Sequence, residues 1–211
     1  MSLNHNKNHQ TMYSNIIKRI IDFLLAILLL PLLLILVIVI SPLIYFDDKG
    51  SVFYIAKRIG LNGNFFRMYK FRTMFVNAPD IRIGDGSTFN SIDDQRLTKI
   101  GKILRTTSID ELPQIINVLI GNMSFIGPRP DPEDWLEKYT DAEREFLKVK
   151  PGISGYNQAY FRNSADGALK LKNDVFYAKN ISFLFDFKIL LKTFSTLILR
   201  DNLHVDMSQR E

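Results

Sequence analysis

Two adjacent carboxylates, Asp110 and Glu111, stand in the stretch Ser108-Ile109-Asp110-Glu111-Leu112-Pro113-Gln114, with Arg105 before them and Arg129 after. An acidic side chain at the start of a helix, set between guanidinium groups that grip phosphoryl oxygens as a planar fork, suits the handling of a phosphate. The same residues also read structurally. Ser108 and Glu111 have the S-x-x-E spacing of a capping box, where the hydroxyl accepts from a first-turn amide and the carboxylate reaches back. Asp110 would then complement the positive end of the helix. Neighbours on a helix point about 100° apart, so the two carboxylates are expected to have separate tasks rather than to share one proton.

The elements that must position this stretch follow from composition and periodicity. The chain has 211 residues and no cysteine, which excludes a disulfide framework, a thiolate metal site and a cysteine nucleophile. Residues 1–72 carry nine Lys/Arg against three Asp/Glu, and the remainder sums to minus one. The basic surplus therefore flanks the most apolar part of the chain, which favours an anionic phospholipid surface or a phosphorylated substrate over nucleic acid. Residues 1–14 form a polar tail, in which His5 and His9 read as tail residues rather than metal ligands, as does His204 in the polar tail 201–211.

From Phe23 to Phe46 no side chain is charged. Such a run makes a helix of about 36 Å, enough to cross a hydrocarbon core of about 30 Å, so residues 15–47 are assigned to the membrane. Pro31 should break or kink this helix, and Ser41-Pro42 is a second break point. Lys18 and Arg19 precede the run while Lys57, Arg58, Arg67, Lys70 and Arg72 follow it. The tendency of Lys and Arg to stay cytoplasmic would place both ends on the same side. A re-entrant helix satisfies this, and a plain span with a tolerated proline is the alternative the residues leave open.

Residues 48–200 should form a cytoplasmic domain. Val52–Ile55 and Phe65–Phe71 flank an Asn62-Gly63-Asn64 turn and predict a β-hairpin. Residues 76–92 read as a loop, and 93–105 as a short basic helix. Ile109, Leu112, Ile115, Ile116, Leu119 and Ile120 give the next helix an apolar face, with Asp110, Gln114 and Asn117 as a polar stripe. Asp131-Pro132 and Thr140–Glu143 look like helix starts, Lys150-Pro151-Gly152 like a turn, and Gly155–Asn163 like an irregular stretch. Helices are expected from about Ala168 to Lys179 and from Ser182 to Arg200. The latter should pack into the core, and its broad apolar surface leaves room for a homodimer. The fold class is α+β, mostly helical: a kinked membrane helix and a small domain with one hairpin and several amphipathic helices.

Several stretches, in order, then resemble one family. They are Lys18-Arg19-Ile20-Ile21-Asp22; Val52-Phe53 before Arg58-Ile59-Gly60; Tyr69-Lys70-Phe71-Arg72-Thr73-Met74; Asp94-Gln95-Arg96-Leu97; Arg105-Thr106-Thr107-Ser108; Asp110 to Gln114; Asn117-Val118-Leu119 onward to Met123-Ser124-Phe125-Ile126-Gly127-Pro128-Arg129-Pro130; and Lys150 to Gly155. Between about Lys18 and Arg200 the chain is similar to the bacterial sugar transferases known as monotopic phosphoglycosyl transferases. The resemblance implies transfer of a sugar-1-phosphate from a UDP-sugar to undecaprenyl phosphate at the cytoplasmic face of the inner membrane, with release of UMP. It implies a re-entrant helix, an Asp-Glu pair with Mg²⁺, and Asp110 as covalent nucleophile and metal ligand. Glu111 would assist the metal or position the acceptor, second to its capping role.

On that reading Arg105 and Arg129 clamp phosphoryl oxygens, and Lys70 and Arg162 are candidates for the nucleotide or the lipid phosphate. Asp174 matches an acidic position of the family. Two departures stand out. The family's Ser-Pro bend is replaced by Leu30-Pro31 about a turn early and Ser41-Pro42 late. After Gly155 the family's Leu-x-Gln-Val-x-Gly-Arg is replaced by Tyr156-Asn157-Gln158-Ala159-Tyr160-Phe161-Arg162, a bulkier loop that bears on which sugar is accepted. A non-enzymatic, membrane-anchored basic module that binds anionic lipid or a partner is the competing reading; it has no use for Asp110 among arginines.

Overall fold

The computed structural model describes residues 12–82, 89, 91, 93–161 and 166–199. A π-helical turn, Tyr13–Ile17, leads into helix α1, Lys18–Asp48. Both Pro31 and Pro42 lie inside this one helix. With few polar side chains in its middle, the run has no alternative to internal hydrogen bonding, which keeps it helical through two prolines.

The buried residues of α1 are Lys18, Asp22, Ala26, Leu33, Ile40 and Ile44, spaced as one stripe of a helix. Ala26 and Leu33 pack with Met68, Ile115, Val118 and Met123. Ile40 and Ile44 pack with Phe71 and Leu104. The opposite face leaves Leu24, Leu28, Leu34, Ile35, Ile38, Val39 and Phe46 exposed. Both ends of α1 are tied to the domain by polar contacts. At the start, Arg19 donates to the carbonyls of Val118 (2.6 Å) and Leu119 (2.8 Å), and Asp22 accepts from the amide of Phe125 at 3.1 Å. At the end, Asp47 accepts from the amide of Ile100 at 2.9 Å, and Asp48 accepts from Arg72 at 2.7 Å.

Strands β1, Phe53–Ile59, and β2, Phe65–Phe71, form the expected antiparallel hairpin, with Tyr54 opposite Lys70 and Arg58 opposite Phe66. Asn62 (φ 56°) and Gly63 (φ 79°) make its turn in the left-handed region that these two residue types tolerate. The strand runs to Ile59, four residues past the Val52–Ile55 expected, because Ile59 also pairs outward: its amide donates to the carbonyl of Asp131 at 3.0 Å.

Helix α2, Lys99–Thr106, starts later than residue 93. The preceding residues are extended against 73–75, with Thr98 donating to the carbonyl of Thr73 (3.0 Å) and Phe75 to that of Arg96 (2.9 Å), and Thr98 caps the helix through Gly101. Helix α3, Gln114–Ile120, follows a separate 3₁₀ turn, Ile109–Glu111. Two short parallel strands, β3 (Ser124–Ile126) and β4 (Gly152–Ser154), hold the loop that carries Arg129. A Cβ on Gly152 would lie 2.1 Å from the nitrogen of Gly127, so this pairing admits no side chain there. Gly152 thus begins a strand rather than closing a turn.

The 3₁₀ segments Glu133–Trp135 and Glu143–Lys148 stand where helix starts were expected. The second has a reciprocal capping box between Thr140 and Glu143. Tyr156–Tyr160, expected to be irregular, is a short helix, α4, whose ring side chains cluster with Phe176 and Phe185. Helices α5, Gly167–Asn180, and α6, Phe183–Leu199, complete the chain. As expected, α6 packs into the core, through Ile189 with Phe185 and Leu190 beside it, while its other face exposes Phe183, Leu184, Phe187, Leu191 and Phe194.

Candidate active site

The 3₁₀ turn Ile109–Glu111 sits where α2 hands over to α3, beside β2. Ser108 holds a left-handed backbone (φ 59°, ψ 15°), and its side chain makes no cap hydrogen bond. The capping box expected at Ser108 and Glu111 is therefore absent. What replaces it is a cluster of charges. Glu111 accepts from Lys70 Nζ at 2.7 Å, and Arg129 grips both its oxygens, at 2.7 and 3.2 Å. Burial alone would raise the pKa of Glu111, but the two cations outweigh it and hold this carboxyl well below its usual range. Lys70 in turn is lowered by burial, against the pull of Glu111.

Asp110 is only 7 % exposed, yet its carboxylate has no hydrogen bond or ion pair among the described residues. It lines an open cleft of about 1790 Å³ with Lys70, Arg105, Glu111, Arg129 and Gln158. Burial raises its pKa to about 6, Glu111 adds to the rise, and Lys70, Arg105 and Arg129 oppose it. The result is a carboxylate that ionises below neutrality without being neutralised by a partner, the state a nucleophile needs. Its neighbour in sequence is locked. The two acids do have separate environments, through partners supplied by a strand and a loop.

Arg105 reaches Thr73 Oγ1 at 3.0 Å and lies close enough to Asp110 to feel its charge. Arg162 falls outside the described residues. Asp174 is 1 % exposed and lies away from the cleft, with one oxygen 3.3 Å from Lys170. Burial raises its pKa to about 6. Lys170 also pairs with Asp131 at 2.7 Å, which accepts from Tyr139 as well. Asp174 is thus linked through Lys170 to Asp131, in the loop that carries Arg129.

Sequence reasoning missed what places Lys70. Asn117 on α3 is fully buried; it donates to the carbonyl of Arg67 at 2.7 Å and accepts from the amide of Tyr69 at 3.0 Å. It clamps β2 to α3 just before Lys70. The signal was its place on the polar stripe, which faces the hairpin rather than solvent.

Among the described residues no three His, Cys, Asp or Glu side chains converge as a metal cluster. A hard cation such as Mg²⁺ needs less: one or two carboxylates, with substrate phosphates and water completing the shell. The single unpaired carboxylate of Asp110 fits that donor set. Glu111, expected to share the ion, has both oxygens engaged.

The model of one family, described as bacterial sugar transferase, matches residues 13–200. The chain belongs to that family. It is 39 % identical over 172 residues to the exopolysaccharide production protein ExoY of Sinorhizobium fredii, covering 76 % of each chain. It is 43 % identical over 160 residues to the galactosyl transferase CpsE of Streptococcus agalactiae, covering 72 % of this chain and 36 % of the other. With the UDP-N-acetylgalactosamine-undecaprenyl-phosphate N-acetylgalactosaminephosphotransferase of Aeromonas hydrophila it shares 38 % over 163 residues, covering 74 % and 37 %. This sugar transferase thus spans about three quarters of one such relative and little more than a third of the others.

Proposed function

We propose that this protein transfers a sugar-1-phosphate from a UDP-sugar to undecaprenyl phosphate at the cytoplasmic face of the bacterial inner membrane, by way of a covalent phosphosugar on Asp110. The observation that carries the mechanism is the contrast between the two acids: Glu111 is saturated by Lys70 and Arg129, while buried Asp110 lines the cleft with no partner among the described residues. The names of relatives that transfer sugar phosphates to undecaprenyl phosphate support the substrates. A Asp110 carboxylate oxygen attacks the β-phosphorus of the donor; the bond to the bridging oxygen breaks, and UMP leaves. The acceptor phosphate then attacks the same phosphorus, and the bond to Asp110 breaks, returning the carboxylate. Two displacements let one site serve a soluble donor and a lipid acceptor in turn.

Arg105 and the outward face of Arg129, whose side chain is 42 % exposed, stabilise charge on the transferring phosphoryl group. Asp110 is the side chain that would hold Mg²⁺, together with the donor's own phosphate oxygens; when bound, the ion supplies positive charge against the diphosphate. Lys70, through Glu111, keeps Arg129 in place, and Asp174 does so through Lys170 and Asp131.

The re-entrant disposition of α1 is part of this reading. Its two ends are bonded to the same domain, at Asp22 and at Asp48, and its buried stripe runs the length between them. A helix crossing the bilayer would carry one end away from the domain. Single cysteines at Ser2 and Ser51, labelled from outside intact cells, should both stay unreactive, and labelling of one alone would sink the re-entrant arrangement.

The reaction is tested by incubating the protein with UDP-sugars and Mg²⁺. Intact mass should reveal a phosphosugar adduct without acceptor, UMP should be released, and Asp110→Asn should abolish both. UMP release only when acceptor is present, with no adduct, would replace the covalent route by direct transfer; lipid binding with no UMP from any donor would favour a binding module.

A further inference from the structure

Arg58 is a cation of the cleft that the mechanism has not used. Its backbone lies between the hairpin and the Arg129 loop, bridged to Pro132 and followed by the bond from Ile59 to Asp131. Its side chain lines the cleft, and among the described residues it makes no hydrogen bond or ion pair. Its Nε is closed off from solvent without a partner. Burial is the largest influence on it, and the pull of Tyr54 and Asp131 does not offset it. Arg129 and Arg82 are like charges within range, and burial disfavours the cationic form. The nearest carboxylate, Asp131, is taken by Lys170 and Tyr139.

A desolvated guanidinium beside a second one is unfavourable unless an anion joins them. Residues 54, 56 and 58 share one face of β1, the face opposite which Lys70 stands on β2. Arg58 therefore lies about 13 Å along the hairpin from Lys70, four residues at about 3.3 Å each. Lys70 marks the Asp110 end, and Arg129, which feels both Glu111 and Asp110, lies between. A group held by Arg58 is thus beyond the phosphorus that Asp110 attacks.

We infer that Arg58 binds the phosphate of the donor that leaves with the nucleotide, completing with Arg129 a two-arginine seat for the diphosphate. The inference rests on the phosphotransfer reading above. With Asp110 at one phosphorus and Arg58 at the other, the leaving group is held as negative charge develops on it, the interaction that accelerates a displacement most.

The test uses the full-length protein in nanodiscs, in single turnover without acceptor, following the adduct on Asp110 by intact mass. Arg58→Gln should slow adduct formation about 100-fold or more, the scale for one oxyanion donor, and weaken UMP as a competitive inhibitor. Arg58→Lys, which keeps the charge but not the fork, should recover part of both losses. Discharge of the adduct by undecaprenyl phosphate, measured after the slow loading is complete, should keep its wild-type rate. Adduct formation within twofold of wild type in Arg58→Gln would overturn the inference, as would a defect confined to discharge. A circular dichroism melt matching wild type separates lost binding from lost folding, and equal losses in Gln and Lys variants with a lowered melt would overturn the anion role. Absence of adduct in the wild type would instead count against the covalent reading itself.

Discussion

Replacing Glu111 by Gln should shift the pH at which Asp110 becomes reactive downward and lower its maximal rate. Glu111 is one of the groups that hold the Asp110 pKa up at about 6. Two like charges about 5 Å apart at an effective dielectric constant of about 20 repel by about 3 kcal/mol. Water in the open cleft screens that figure, so a fall of about one pKa unit, or about 1.4 kcal/mol, is expected. Freed from Glu111, Lys70 and Arg129 turn toward the remaining carboxylate and push in the same direction. A carboxylate paired with two cations is a poorer nucleophile, so the plateau should fall at least about tenfold, as expected for a nucleophile whose pKa is lowered and whose charge is neutralised. The assay is the pH dependence of adduct formation without acceptor. The donor's diphosphate keeps its charge across this range, so the acid limb reports Asp110. In the wild type the rate should rise through about pH 6; in Glu111→Gln the midpoint should move about one unit lower. An unmoved or raised midpoint would refute the assignment of Glu111 as the group that tunes Asp110.

Stability should carry the opposite signature at Asp110. Its folded pKa, about 6, lies above the ordinary 3.8, so the neutral acid is stabilising, fully present below about pH 4 and lost as pH rises through 6. Asp110→Asn should melt above wild type at neutral pH and level with it in acid; an equal or lower Tm at neutral pH refutes this. Asn117→Ala removes the partner of two part-buried backbone groups at about 1–3 kcal/mol each, so denaturant titration should register a loss of at least about 2 kcal/mol, and adduct formation should slow as Lys70 loosens. Gly101→Ala would set a Cβ 1.9 Å from the carbonyl of Thr73, pushing α2 and Arg105 off that strand; wild-type melting and adduct rates in this variant would contradict the packing.

The hairpin was legible because its turn residues and alternating flanks are local facts, and α5 and α6 because their periodicity is long. The carboxylate pair could be singled out in the sequence, but its support was misread. The S-x-x-E spacing at Ser108 is indistinguishable from that at Thr140, where the capping box does form. What separates them is competition. Glu143 is half-buried with Thr140 as its near partner, whereas Glu111 meets cations from 41 residues before it and 18 after. Ion pairs to two cations outweigh one hydrogen bond to a nearby amide. In the same way the stripe of Gln114 and Asn117 reads as solvent-facing by periodicity and is buried; for Asn117 the reason is that β2 offers it backbone groups to bond.

The sequence by itself determined which groups are available: an apolar helix too long for its own domain to bury, a hairpin, and acids set among arginines. Chemistry of that kind is carried by residue type and spacing within a few residues. Which acid lacks a partner among the described residues was decided only by the tertiary structure. Lys70 and Arg129 come from a strand and a loop distant in the chain, and they converge on Glu111 while Asp110 is buried beside the cleft. Electrostatics at a site depends on distance in space and on exclusion of water, and a sequence states neither.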